Sequence, residues 1–125
     1  MSLEIINCDP EIWGKHLWYA MEAIACTLNS SNRREIQTFF ESLTNVIPCQ
    51  TCRNHFIHYY YYHPIQNSLT NSLTLFEWLY NLKCQIKKRQ NRDIPAFSDY
   101  FIHIVEYYNV YELYNLVESK VEETL

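Results

Sequence analysis

One glycine in 125 residues is the scarcest feature of this chain. Hairpin turns draw on glycine for their positive-φ positions, so a fold of many tight β-turns is excluded. The same scarcity removes glycine-rich phosphate cradles: neither G-x-G-x-x-G nor a Walker A pattern occurs, and a nucleotide would have to be held between helices by aromatic and polar side chains. Surplus positive charge is missing too. Ten Lys and Arg against 14 Asp and Glu give a net charge of −4 and a pI near 5.7, which leaves no electrostatic footprint for nucleic acid. No apolar run approaches membrane-spanning length. Met1-Ser2-Leu3-Glu4 lacks the basic start of a secretory signal, and the expectation is a soluble cytoplasmic protein. Five cysteines, an odd number without such a signal, do not make a structural disulfide framework; a close pair then reads as redox or metal chemistry.

What is present is aromatic and helical: the chain is 48% hydrophobic and 16% aromatic, enough for one domain with a modest core. Residues 1–9 read as an extended lead-in. Asp9-Pro10-Glu11 is a helix start, followed by Trp13, Leu17, Ala20, Ile24 and Leu28 at helical spacing. A second helix is expected from Arg33 to about Thr44, with Ile36, Phe39, Phe40 and Leu43 inward. A third carries Cys49 and Cys52, reaches Tyr59–Tyr62 and ends at His63-Pro64. Asn67 to Asn71 is a polar connection, with Thr70 or Ser72 as cap to a fourth helix holding Leu73, Phe76, Trp78, Leu79, Leu82 and Ile86. Past Pro95, Phe97-Ser98-Asp99 opens a fifth helix, whose stripe is expected to run through Phe101, Ile104, Tyr108, Tyr111, Leu113 and Val117 into an acidic tail, Glu118–Leu125. No strand alternation, internal repeat or linker interrupts this pattern, so the fold class is all-α, a helical bundle.

The chemistry concentrates in Pro48-Cys49-Gln50-Thr51-Cys52-Arg53-Asn54-His55. Cysteines at i and i+3 on the first turn of a helix face the same way and can close a disulfide. Free N–H groups and the positive end of the helix dipole favour a thiolate there, so Cys49 should have a depressed pKa, with Arg53 and His55 nearby. A zinc site from Cys49, Cys52 and two of His55, His58 and His63 is the competing reading, but the interval between the ligand pairs is too short for a finger. The basic cluster Lys87-Lys88-Arg89 with Arg92 is either a solvated helix end or a clamp for a phosphate-bearing cofactor. The tyrosines at 59–62 and at 107, 108, 111 and 114 suggest half-buried interface positions.

Over residues 9–108 the chain resembles the Erv/ALR family of FAD-linked sulfhydryl oxidases, most nearly its short, poxvirus-like viral members. Three segments carry the likeness in order: Pro10-Glu11-Ile12-Trp13-Gly14-Lys15-His16-Leu17-Trp18, then Cys49-x-x-Cys52-x-x-His55, then Leu75-Phe76-Glu77-Trp78 with the basic run and Pro95-Ala96-Phe97-Ser98. The resemblance implies four bundled helices plus a short fifth, with an FAD-binding domain at 10–108 between the 1–9 lead-in and a 109–125 extension. It implies a homodimer, working in host cytoplasm and virion. It implies that electrons pass from protein dithiols, directly or through a relay thiol protein, to the Cys49–Cys52 disulfide, then to FAD and to O2, giving H2O2. Cys52 would face the flavin and Cys49 would meet substrate. FAD contacts are implied at Gly14, Lys15, Trp18, Glu22, His55, Trp78, Lys83, Cys84, Ile86 and Lys87. These positions depart from the family pattern in two segments. Glu22 stands where many cellular members have histidine, and Lys83-Cys84-Gln85-Ile86-Lys87 replaces H-N-x-V-N, which leaves a catalytically inactive assembly protein as the alternative. Cys8, Cys26 and Cys84 read as core or surface thiols, Cys8 alone being a candidate accessory thiol.

Overall fold

The computed structural model describes residues 6–118; the first five residues of the expected lead-in, and the expected tail past Glu118, lie outside the described residues. Helix α1 spans Pro10–Cys26 and begins as its sequence dictates: the Asp9 carboxylate accepts the Glu11 N–H at 3.0 Å, and Pro10 takes the first turn, where a missing N–H costs nothing. Its inward stripe differs from expectation by one residue. Ala20 is exposed while Met21 and Ala25 are buried, so Leu17, Met21 and Ala25 form the seam at i, i+4 spacing. Burying the longer methionine removes more apolar surface from water than burying an alanine.

Helix α2 (Arg33–Val46) buries Ile36, Phe40 and Leu43 and packs chiefly on α3 (Gln50–Tyr62). Of the tyrosine run, Tyr59 is buried and its hydroxyl donates to the Trp78 carbonyl at 2.6 Å, whereas Tyr61 and Tyr62 face outward. The connection after α3 is less polar than expected. A 3-10 turn, Ile65–Ser68, drives Ile65 and then Leu69 into the core, and Arg33 on α2 donates to the Leu69 carbonyl at 2.6 Å.

Helix α4 (Ser72–Arg89) is capped by neither Thr70 nor Ser72 but by Asn71. The Asn71 side chain accepts the Thr74 N–H at 3.0 Å while Thr74 Oγ1 accepts the Asn71 N–H at 3.2 Å, a reciprocal box that satisfies two free donors. This helix is the centre of the molecule: Leu75, Phe76, Trp78, Leu79 and Leu82 are all buried, with α1 and α5 (Phe97–Tyr108) packed against it. Helix α5 stops at Asn109, whose φ of 56° is left-handed, a conformation asparagine tolerates better than most residues. The expected stripe therefore breaks: Tyr111 and Val117 are exposed, and only Leu113, in a 3-10 turn over Tyr111–Leu113, returns to the core. Among the described residues the fold is all-α, without a strand, and no helix is long and apolar enough to cross a membrane.

Candidate redox site

Pro48 ends the approach from α2, and Cys49 occupies the N-cap of α3 with extended backbone (φ −152°, ψ 119°). That conformation turns its side chain back over the helix end. Cys49 Sγ accepts the Cys52 N–H at 3.3 Å, and the Cys52 thiol donates to Cys49 Sγ across 2.6 Å. The sulfurs are thus nearer than van der Waals contact and only about half an ångström beyond a covalent bond of ~2.05 Å. Both are free thiols here.

Their environments push the two thiols apart. Cys49 is held below its usual value by the Cys52 thiol proton, by the Cys52 and Thr51 N–H groups and by the Arg53 guanidinium. Arg53 is itself steadied by Gln50 Oε1 at 2.6 Å and the Asn45 carbonyl at 3.3 Å. Cys52 is pushed up to about 11, first by burial and then by the hydrogen bond it gives to Cys49. Two chemically identical residues are thus made unequal: of the pair, Cys49 is the readier to ionise and Cys52 the readier to keep its proton.

Cys52 also forms part of the wall of a cleft of about 370 Å³ between α1, α2, α3 and α4. Trp13, Gly14 and Trp18 line it from α1, His55 and Phe56 from α3, and Leu82, Ile86 and Arg89 from α4. The lining is mostly apolar, with Thr51, His55, Arg89 and Gln90 as its polar members. His55 is held below its usual value by partial burial, then by the Arg89 and His58 charges, so it faces the cleft as a neutral ring near pH 7.

Of the residues singled out from the sequence, Gly14, Trp18, Cys52, His55 and Ile86 meet on this cleft. Cys49 stands beside it and is not among its lining residues. Lys15 is exposed, and Lys87 and Cys84 are half-buried away from the lining; Cys84 meets the Tyr80 hydroxyl. Glu22 and Lys83 sit behind Trp18: Lys83 Nζ is 5.0 Å from the Trp18 ring centre and 3.7 Å from the Glu22 carboxylate. Trp78 is buried in the aromatic core among Phe40, Phe56 and Tyr59, its indole N–H given to the His63 carbonyl at 2.8 Å. Trp13 lines the cleft without having been expected there, and of the basic cluster read as a solvated helix end or a phosphate clamp only Arg89 reaches the lining. The i, i+4, i+7 spacing of Leu82, Ile86 and Arg89 was the available signal. Among the described residues no group of three or more His, Cys, Asp or Glu converges as a metal site.

The model of the Erv1 / Alr family matches residues 12–107. The FAD-linked sulfhydryl oxidase of African swine fever virus (isolate Pig/Kenya/KEN-50/1950) is 31% identical over 108 residues, covering 80% of this chain and 80% of that protein. No solved structure matches. The matched span runs from the second turn's approach on α1 to the end of α5, and so takes in the cysteine pair and every element that lines the cleft. By that match the chain belongs to the Erv1 / Alr family.

Proposed function

We propose that this protein is an FAD-linked thiol oxidase that makes disulfides in protein substrates. The observation that carries the reading is the split between the two thiols: Cys49, the more acidic of the two, stands outside the cleft and accepts the hydrogen bond of Cys52, which lies on the cleft's largely apolar wall. A substrate thiolate attacks Cys49 Sγ of the oxidised pair, the Cys49–Cys52 bond breaks, and the Cys52 sulfur leaves with its electron pair and takes a proton. The second substrate thiolate then attacks its neighbour in the mixed disulfide, and Cys49 leaves as a thiolate, stabilised by the N–H groups of α3 and by Arg53. The substrate disulfide and the Cys49/Cys52 dithiol are the products.

The cleft fits a flat, partly charged cofactor. Gly14 lies on its wall, and beyond the local backbone of α1 nothing stands within 4 Å of the position a Cβ would take there, so α1 is open to close approach. Trp13 and Trp18 supply broad faces, and Arg89 offers a cation at the edge for a phosphate. FAD held there would supply the two-electron acceptor for the dithiol and the reactivity with dioxygen that yields hydrogen peroxide. The remaining functional expectations belong to the same proposal. Four bundled helices and a fifth make up a flavin domain over residues 10–108, followed by an extension over 109–125. The chain pairs as a homodimer. It is of viral origin and works in host cytoplasm and virion, taking protein dithiols directly or through a relay thiol protein.

The test is the visible spectrum of the purified protein with oxygen uptake on adding dithiothreitol. A flavin band, with uptake lost about a thousandfold or more in Cys52→Ala, supports the oxidase. A folded, helical, colourless protein that takes up no added FAD overturns it in favour of an assembly protein.

A further inference from the structure

The backbone N–H groups at the start of α3 are claimed in an unequal way. Those of Thr51 and Cys52 serve Cys49 Sγ, while that of Gln50 is taken by a residue 43 positions earlier: Asn7 Oδ1 accepts it at 2.6 Å. The next residue, Cys8, donates its own N–H to the Pro48 carbonyl at 2.7 Å. Cys8 in turn accepts the Trp13 indole N–H on its carbonyl at 2.9 Å. Residues 7 and 8 therefore lie across Pro48-Cys49-Gln50 like a strap, tied on one side to the redox pair and on the other to a wall of the cleft.

We propose that Asn7 is a positioning residue for the redox pair: with the Cys8 backbone it fixes Pro48–Gln50 in the extended form that brings Cys49 Sγ over the end of α3. Without the strap, Cys49 has a free rotor on an uncapped loop. The N-cap geometry that directs two N–H groups at its sulfur is then one conformation among several. The neutral amide suits this role. An acceptor is needed for Gln50, but a carboxylate there would set a second negative charge beside the Cys49 thiolate. The charged or titratable groups acting on Cys49 are Cys52 and Arg53, both on α3; the strap adds Cys8 and, one residue on, Asp9.

The inference rests on reading Cys49 as the exchanging thiol, and its test needs neither flavin nor turnover. In the full-length reduced protein, iodoacetamide labelling of Cys49 is followed by peptide mass spectrometry across pH, with amide exchange at Gln50. Asn7→Ala should speed Gln50 exchange, slow Cys49 labelling at pH 7 by roughly fivefold, the worth of one lost cap, and move the labelling midpoint up. Asn7→Asp should restore Gln50 protection yet leave the midpoint raised. Faster Gln50 exchange in Asn7→Ala with an unchanged Cys49 profile makes the strap structural only and overturns the proposal, as does no change in either. A Cys49 profile that shifts in a protein with no oxidase activity upholds the strap and sinks only the oxidase reading.

Discussion

Tyr100 gives its hydroxyl proton to the Glu22 carboxylate across 2.8 Å, a bond that pins the fifth helix to the first over 78 residues of sequence. Tyr108 adds a second hydroxyl at 3.3 Å, and Lys83 lies 3.7 Å away with the Trp18 ring beneath it. A side chain only 6% exposed can stay in the core because each of these groups meets it.

Glu22→Ala should therefore cost about 2–4 kcal/mol in urea unfolding, since it strands the buried Tyr100 hydroxyl and a partly solvated ammonium, while Tyr108 keeps the Tyr19 carbonyl at 3.1 Å. Glu22→Gln, which keeps an acceptor, should cost less than half of that. Equal losses in the two variants would mean that packing, not the polar network, is what Glu22 supplies.

Trp78→Phe separates core from cofactor. The indole N–H satisfies the His63 carbonyl, and the ring fills the space between Phe40, Phe56 and Tyr59. The expected loss is about 2–3 kcal/mol of stability, from a cavity plus an unpaired carbonyl. Flavin affinity, measured by fluorescence titration well below the unfolding midpoint, should stay within about threefold. A tenfold fall would put Trp78 in contact with the bound ring.

These two sites also mark what could be read in advance. Helix starts with local chemistry were legible: Asp9-Pro10 caps α1 as the residues alone require. So was the juxtaposition of Cys49 and Cys52, because i, i+3 spacing at a helix start needs no tertiary information. The three tryptophans all fall on apolar stripes, and nothing local separates Trp18, which lines the cleft, from Trp78, which lies in the core. That difference comes from which helix packs on which. Ala20 and Met21 are adjacent in sequence but roughly 100° apart around α1, and which of them turns inward depends on how α1 packs on α4. Asn71 and Ser72 are both good caps; Thr74, three residues beyond Asn71, decides between them by completing the box. The strap is the least legible feature, since its bonds join residues 7 and 8 to 48 and 50 with no pattern in either segment.

Stability should fall as pH rises above about 9. Burial, then Glu22 and Glu112, push the Cys26 thiol from its ordinary 9.0 up to about 11, and burial raises the Tyr100 and Tyr108 hydroxyls above their ordinary 10.0. Each such group keeps in the folded chain a proton that the unfolded chain releases. Its contribution is therefore complete below the ordinary value and is lost as pH climbs toward the raised one. The urea midpoint should decline between pH 9 and 11, and Cys26→Ala should flatten that decline while barely changing the midpoint at pH 7. Since Cys26 is only half-buried, its share is the smaller one, and the tyrosines carry the fall above pH 10. An alkaline limb identical in Cys26→Ala would remove the thiol from the account.

Gly14→Ala sets helix propensity against cleft space. In mid-helix an alanine stabilises by about 0.5–1 kcal/mol relative to glycine, and here its methyl meets nothing within 4 Å beyond the local backbone of α1 itself. The flavin-free protein should melt a few degrees higher. The open space that makes the substitution harmless to the fold is the cleft itself, so the methyl enters the room a flat ring would use. Flavin affinity should fall by at least about tenfold, the cost of intruding one methyl into a packed contact. Thermal melting with and without FAD checks both halves. A variant that melts higher but binds flavin as tightly as the parent would mean that the cofactor does not approach α1 at Gly14.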